Sequence, residues 1–149
     1  MKLIERKRYL DKMISVIGTP DIKVITGVRR CGKSKLLEAF KEYIESETEN
    51  CNIIHINFNL PEFEQLLEYH PLYDYISSKY VKGKTNFVLI DEVQMCAGFE
   101  KAINGLHAEE RLAILSIIKS ATVSISCMLR ILYFCRISRI IKVLNTSEM

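Results

Sequence analysis

The stretch that decides the fold is Gly27-Val28-Arg29-Arg30-Cys31-Gly32-Lys33-Ser34. It follows the apolar run 22–26 and leads into the apolar start of a helical pattern, residues 36–40. The order of strand, glycine-bounded loop and helix is the context that a phosphate-binding loop needs. Glycines allow the backbone to curl so that successive N–H groups point at one anion, and the positive end of the helix strengthens that field. The stretch therefore predicts a site for a nucleoside triphosphate.

Roles follow for individual residues of this loop. Lys33 is expected to reach the outer phosphates, and the hydroxyl of Ser34 is expected to ligate Mg²⁺. Cys31 has two interpretations: a small residue that fills the loop, which is favoured, or a thiol whose ionised form the neighbouring cations stabilise. The predicted nucleotide-binding residues are those of the loop and the residue after it: Gly27, Val28, Arg29, Arg30, Cys31, Gly32, Lys33, Ser34 and Lys35.

A second informative stretch, residues 85–92, ends in two acids after four apolar residues. It predicts a buried strand that presents Asp91 and Glu92 at its carboxyl end, the edge at which open α/β sheets bind ligands. Asp91 is predicted to hold Mg²⁺ together with Ser34. Glu92 is predicted to polarise the attacking water, which makes it the main catalytic residue beside the loop lysine. Two roles stay open for Gln94: a reporter of the γ-phosphate, or the cap of a loop.

Length, charge and cysteine content narrow the classes of protein to which the chain can belong. The 149 residues suffice for one domain with a hydrophobic core, and 48% of them are hydrophobic. Six basic residues and one acidic residue follow position 110, so the net charge of +3 comes from this tail and residues 1–110 are net acidic. The core thus gives no electrostatic reason to expect nucleic acid. Five scattered cysteines without a CxxC pair are typical of reduced thiols in a cytoplasmic protein, rather than of a zinc site or a disulfide framework.

Apolar periodicity predicts the other elements. His55 lies within an apolar run and is predicted to be a core or strand-end residue rather than a catalytic base. Together with residues 85–92 the elements indicate an α/β fold, a parallel sheet flanked by helices of the P-loop NTPase type. Strands are predicted over 22–26 and 52–58, and helices over 3–17, 33–46 and 99–107, with shorter helices that begin at Pro61 and at Pro71.

Three segments, residues 25–34, 56–58 and 89–94, together resemble the AAA-type P-loop ATPases of bacteria and archaea whose full-length members carry a nuclease-like C-terminal domain. The resemblance covers about residues 3–110. It implies ATP as the nucleotide and a sheet of the additional-strand-catalytic-glutamate type. It also implies residues 27–34 as the phosphate loop, Asp91 for the metal and Glu92 for catalysis.

Beyond residue 111 the chain departs from the pattern of that family. In the family, the strand after the acidic strand inserts between it and the loop strand and ends in a polar sensor run such as Thr-Gly-Ser-Asn. A later Gly-Arg pair supplies an arginine finger. Residues 112–149 contain neither run. Residues 112–118 are predicted to form the central strand, with Ser120 in place of the sensor. The alternative is that they are only filler, and in either case the sheet is expected to be incomplete or altered in its C-terminal third.

The last part of the chain has several interpretations. Residues 133–144 place apolar residues on one helical stripe and basic residues opposite. A terminal helix that covers a sheet face is favoured, and a basic amphipathic helix on an anionic membrane surface is the alternative. The chain is accordingly divided into a nucleotide-binding core, residues 1–111, and a C-terminal segment, residues 112–149. A third interpretation treats that segment as the out-of-frame remnant of a longer, truncated gene.

The function predicted from the sequence is that of an ATP-binding protein which hydrolyses ATP to ADP and phosphate with Mg²⁺. The alternative is a nucleotide-binding module, or a truncated fragment, without significant hydrolysis. The absence of an arginine finger from the sequence pattern motivates this alternative, because such an arginine is worth about 10³–10⁵ in rate. A homo-oligomer and the source of any arginine finger stay open.

Overall fold

Helices and strands alternate along the chain, as the alternation of apolar patterns predicts. The structure, a computed structural model, describes residues 3–15, 17, 23–27, 32–108, 112–119 and 139–143. In chain order its elements are α1 (Leu3–Ser15), β1 (Lys23–Gly27), α2 (Lys33–Glu47), β2 (Cys51–Asn57), a 3₁₀ helix (Pro61–Leu66), α3 (Tyr69–Lys79), β3 (Thr85–Asp91), a second 3₁₀ helix (Val93–Met95), α4 (Phe99–Ala108), β4 (Leu112–Lys119) and β5 (Arg139–Val143).

Among the described residues, five parallel strands form one sheet in the order β2-β3-β4-β1-β5. β4 lies between β3 and β1, with Ser116 level with Ile90 on one side and with Val24 on the other. Parallel neighbours need crossover connections, and α2, α3 and α4 each lie between two consecutive strands of the chain. The predicted parallel α/β sheet is confirmed. Residues 112–119 occupy the central position that the family resemblance implies for the strand after the acidic one.

The sheet separates two hydrophobic clusters, because alternate residues of a strand face opposite sides. One cluster joins Phe87 and Leu89 of β3 to α1 and α2, and it includes the fully buried Leu36. The other cluster joins Val88 and Ile90 to α3, α4 and both 3₁₀ helices. Burial of each large aliphatic side chain contributes about 1.5–3 kcal/mol relative to its exposure to water. β3 is buried on both faces and therefore anchors the fold.

Some element boundaries differ from the prediction, most clearly at α3. The sequence predicts a helix from Pro71, whereas α3 begins at Tyr69 with Glu68 as its N-cap. Pro71 then lies in the first helical turn, where a backbone N–H has no partner within the helix, so the missing donor costs little. The predicted short helix from Pro61 is a 3₁₀ helix.

The predicted amphipathic helix over 133–144 is wrong for residues 139–143, which form β5 beside β1. Ile140, Ile141 and Val143 are β-branched and favour extended backbone. β1 would otherwise present an unpaired edge, whose N–H and C=O groups β5 satisfies. The rest of that predicted helix lies outside the described residues, and contact with a membrane surface through it is not proposed. None of the helices described here has the length and apolar composition that a membrane span requires.

Candidate functional site

The carboxyl ends of neighbouring parallel strands meet at one edge of the sheet, the edge at which α/β proteins bind ligands. β1 ends at Gly27, which is level with Lys119 at the end of β4. β3 ends at Asp91, which is level with Asn57 at the end of β2. The predicted phosphate loop begins at Gly27, and the predicted metal ligand Asp91 stands at the same edge on the far side of β4. The fold thus brings the two informative stretches of the sequence to one place.

The helix after the loop, α2, begins at Lys33 with Gly32 as its N-cap. Gly32 has a left-handed backbone, with φ 86° and ψ 20°. That conformation costs a residue with a β-carbon about 1–2 kcal/mol and costs glycine little. The carbonyl oxygen of Gly32 accepts a hydrogen bond from the N–H of Leu36 at 2.9 Å. Glycine has no side chain with which to cap the first N–H groups of α2, so these donors suit an anion such as phosphate.

Ser34 and Lys35 lie in the first turn of α2, and both side chains are exposed. The amine of Lys35 forms an ion pair with Glu38 at 3.0 Å. Lys35 is therefore suited to offer a phosphate its backbone N–H rather than its side chain. Ser34 is exposed, so a metal ion that enters from solvent can reach this position.

Asp91 is 2% exposed at the last position of β3. It follows Leu89 by two residues and so lies on the sheet face against which α2 packs. The carboxylate of Asp91 and the hydroxyl of Ser34 both offer oxygen atoms, the ligands that Mg²⁺ prefers. A buried carboxylate is costly unless a cation or hydrogen bonds offset the loss of water. The residues present therefore fit a magnesium ion.

Glu92 is also 2% exposed, but it leaves the sheet in a different conformation. Its backbone is left-handed, with φ 61° and ψ 41°, and it is the N-cap of the 3₁₀ helix over Val93–Met95. Its Oε2 atom accepts a hydrogen bond of 2.5 Å from Nε2 of Gln94. The sequence leaves the role of Gln94 open, and the structure places its amide on the carboxylate of Glu92.

Two polar residues of β2 lie near this site. Asn57 is level with Asp91, and the sequence patterns do not single it out as a site residue. His55 lies on the same sheet face, two residues earlier; burial and then Lys41 lower its pKa, while Asp91 and Glu38 act in the opposite direction. The signal that the sequence offers for Asn57 is an amide near the end of the apolar run 52–58; its place beside Asp91 comes from the pairing of β2 with β3.

Part of the predicted site lies outside the described residues. For Lys33 the structure describes the backbone, which opens α2. The positions outside the described ranges are Val28, Arg29, Arg30, Cys31 and Ser120. The roles predicted for these five residues and for the side chain of Lys33 stay predictions.

Other metal or thiol chemistry has little support in the part of the chain that the structure describes. No three histidine, cysteine, aspartate or glutamate side chains come together there as a metal cluster. Cys96 is buried, and desolvation, followed by Glu100 and Glu68, raises the pKa of its thiol to about 12. Cys96 is therefore a packing group rather than a nucleophile.

Comparison with known sequences identifies the family. Residues 19–128, well over half of the chain, match the AAA domain family. An uncharacterized protein of Haemophilus influenzae is 34% identical over 107 residues, a match that covers 70% of this chain and 27% of that protein. The chain thus spans about a quarter of the length of the curated relative that it matches.

Solved structures share the fold at low sequence identity. Pif1 helicase from Candida albicans has a TM-score of 0.63 at 14% identity, over 97% of this chain and 40% of that one. Drosophila ORC bound to DNA has a TM-score of 0.61 at 14% identity, over 95% of this chain and 90% of that one. PCH-2 from C. elegans has a TM-score of 0.58 at 16% identity, over 95% of this chain and 40% of that one. The sheet with its loop strand beside the central β4 agrees with the matched family, and the chain belongs to the AAA domain family, with a nucleotide-binding ATPase-like module as its core.

Proposed function

We propose that the module binds Mg-ATP and hydrolyses it to ADP and phosphate. The loop of residues 27–34 and the first turn of α2 hold the phosphates through backbone N–H groups. Lys33 reaches the outer phosphates, and Glu92 accepts a proton from the attacking water. Ser34 and Asp91 hold Mg²⁺, which neutralises charge on the phosphates when it is bound.

The buried pair Asp91 and Glu92, at the sheet edge where β1 enters the loop, is the observation that carries this proposal. Binding of a nucleotide alone needs no second acid. Asp91 lies on the sheet face against which α2 packs, whereas Glu92 has a left-handed backbone that leads into the 3₁₀ helix. This difference between the two acids supports separate roles for them, Asp91 toward the metal and Glu92 as the base. Electrostatic positioning of this kind supplies most of the catalysis of phosphoryl transfer.

The test compares phosphate release and Mg-ATP affinity in wild type, Glu92→Gln and Lys33→Ala. Glu92→Gln keeps the size of the side chain and loses the basic oxygen, so we expect turnover to fall about 10²–10⁴-fold while the Kd for Mg-ATP changes little. Lys33→Ala should weaken binding itself, because the phosphates lose a cation.

A matched control for the acid is Glu64→Gln, the same change at an exposed position of the first 3₁₀ helix. It should leave turnover and affinity unchanged. Turnover in Glu92→Gln equal to that of wild type would refute the catalytic role of Glu92.

A nucleotide-binding module without significant hydrolysis is the second candidate function. The sequence after residue 111 favours it, because it lacks the Gly-Arg pair that supplies an arginine finger in similar ATPases. Mg-ATP at a hundredfold excess over its Kd stabilises a protein by about 2.7 kcal/mol, whether or not it is hydrolysed. Thermal stabilisation without phosphate release selects this function. Turnover per molecule that rises with protein concentration selects instead a homo-oligomer in which a second copy supplies the arginine.

A further inference from the structure

Gln94 contacts the proposed base, Glu92, and has no role in the reaction as described above. It lies in the middle of the 3₁₀ helix Val93–Met95, two residues after Glu92. Its Nε2 atom donates to Oε2 of Glu92 at 2.5 Å. A carboxylate can only accept hydrogen bonds, so the NH₂ group of the amide must face Glu92. The orientation of the Gln94 amide therefore follows from chemistry.

The other end of the same amide is left without a donor. Oε1 of Gln94 is buried and has no hydrogen-bond partner among the described residues. A buried carbonyl oxygen without a donor is costly, and such atoms are usually satisfied by a bound water or a ligand. Nε2 and Oε1 share one carbon atom, so this acceptor lies close to the carboxylate that Nε2 contacts.

We propose that Gln94 is a positioning residue for the water that attacks the γ-phosphate. One hydrogen of that water is donated to Glu92 and the other to Oε1 of Gln94, which directs a lone pair of the water oxygen to phosphorus. The oxygen–phosphorus bond forms, the bond between phosphorus and the bridging oxygen of ADP breaks, and ADP leaves with the electron pair. The water proton passes to Glu92. This inference rests on the proposed hydrolysis and adds a second acceptor to it.

The kinetic test uses Gln94→Leu, which keeps approximate volume and removes both the donor and the acceptor. We expect kcat to fall about 10²-fold, since misplacement of a reacting group has effects of that size, with the Kd for Mg-ATP within twofold of wild type. Gln65→Leu is the matched control, because Gln65 is the other glutamine of the chain and is exposed. A kcat in Gln94→Leu equal to wild type overturns the inference. A raised kcat also overturns it and indicates that Gln94 restrains Glu92 instead.

A second measurement separates this inference from the proposed function. The chain has two glutamines, so ¹⁵N-glutamine labelling gives two side-chain amide groups. On addition of Mg-ADP with aluminium fluoride, the Gln94 amide should shift and that of Gln65 should not. A crystal structure of that complex should show a water within hydrogen-bond distance of Oε1.

The outcomes are distinguishable. If wild type releases no phosphate, the proposed hydrolysis is refuted. The crystal structure of the complex then still shows whether Oε1 of Gln94 binds a water. A complex with no water on Oε1 overturns the inference even where wild type hydrolyses ATP. Failure of the nucleotide complex to form overturns both proposals.

Discussion

Asp91 and Glu92 are neighbours in the sequence and equally buried, yet their backbones differ. Asp91 continues β3, whereas Glu92 has a left-handed backbone. This conformation costs a residue with a β-carbon about 1–2 kcal/mol, and such strain persists where the surrounding structure enforces it. Here it turns the chain into a 3₁₀ helix and places the amide of Gln94 against the carboxylate of Glu92. The acids can be read from the sequence, but this difference between them cannot.

His55 predicts a pH dependence of folding stability. Its Nε2 atom is buried without a hydrogen-bond partner in the described part of the chain. Burial, followed by Lys41, lowers its pKa below the ordinary value of 6.5. Between the lowered pKa and 6.5, the unfolded chain binds a proton that the folded chain does not. The stability that neutral His55 contributes is fully present above pH 6.5 and is lost as the pH falls from 6.5 through the lowered pKa of the folded state. We expect the urea concentration at the midpoint of unfolding to decrease when the pH is lowered from about 7.5 to about 5.5.

Substitution of single histidines assigns this effect. His55→Asn removes the titrating group and should flatten the dependence of the urea midpoint on pH. His70→Asn is the control, because His70 is exposed, and it should leave the dependence as in wild type. A wild-type slope in His55→Asn would assign the pH dependence to other groups.

Among the elements, Asn86 joins β2, β3 and the turn before β3 at the amino edge of the sheet. It is 1% exposed. Its Oδ1 accepts from Nδ2 of Asn52 at 2.7 Å and from the N–H of Val81 at 2.9 Å. Its Nδ2 donates to the carbonyl oxygens of Val81 at 3.0 Å and Lys84 at 2.9 Å. All four hydrogen-bonding sites of this amide are used, which is the condition under which a buried polar group stabilises a fold.

Asn86→Ala should lower the free energy of unfolding by about 2–4 kcal/mol, because it removes four hydrogen bonds of a buried amide and opens a small cavity. Asn52→Ala is the comparison: it removes one of these partners and the bond of Asn52 to the carbonyl oxygen of Lys79. It should cost about 1 kcal/mol. Urea unfolding measures both variants. Equal losses in the two variants would show that the network is not centred on Asn86.

The elements also differ in how well local pattern predicts them. α2 is predicted over 33–46 and spans Lys33–Glu47, because a long amphipathic segment repeats its signal over several turns. The segment 139–143 is short, and its apolar and basic residues fit a helical stripe as well as a strand. Pairing with β1 decides between them, and that contact is invisible to local periodicity.

In the whole molecule, β4 connects the two halves of the candidate site. It pairs with β3, which carries Asp91, and with β1, which enters the loop. Residues 112–119 of the predicted C-terminal segment therefore lie in the middle of the sheet. A strand with neighbours on both sides shares its backbone N–H and C=O groups between the two, so its loss would divide the sheet.

Hydrogen exchange measured by mass spectrometry tests the position of β4. Amides of central strands exchange through global unfolding, whereas amides at sheet edges exchange through local opening. We expect peptides from β3 and β4 to exchange slowest and a peptide from β5 to exchange faster. Lys82 and Gly83, which are exposed in the turn before β3, serve as the fast reference. Exchange of residues 112–119 as fast as that turn would remove β4 from the sheet and support the interpretation of residues 112–149 as a divergent tail or a remnant.

The sequence by itself determined the chemical groups and the fold class. Glycines before Lys33 and Ser34, and an apolar run that ends in Asp91 and Glu92, predict a phosphate loop and an acidic strand with little further context. The sequence left residues 112–118 as either the central strand or filler, and only the tertiary structure decided for the strand between β3 and β1. Only the tertiary structure placed Asn57 level with Asp91 and the amide of Gln94 on Glu92. The reason is physical. Strand order and register depend on backbone pairing and packing between segments far apart in the chain, and local propensity carries no record of those contacts.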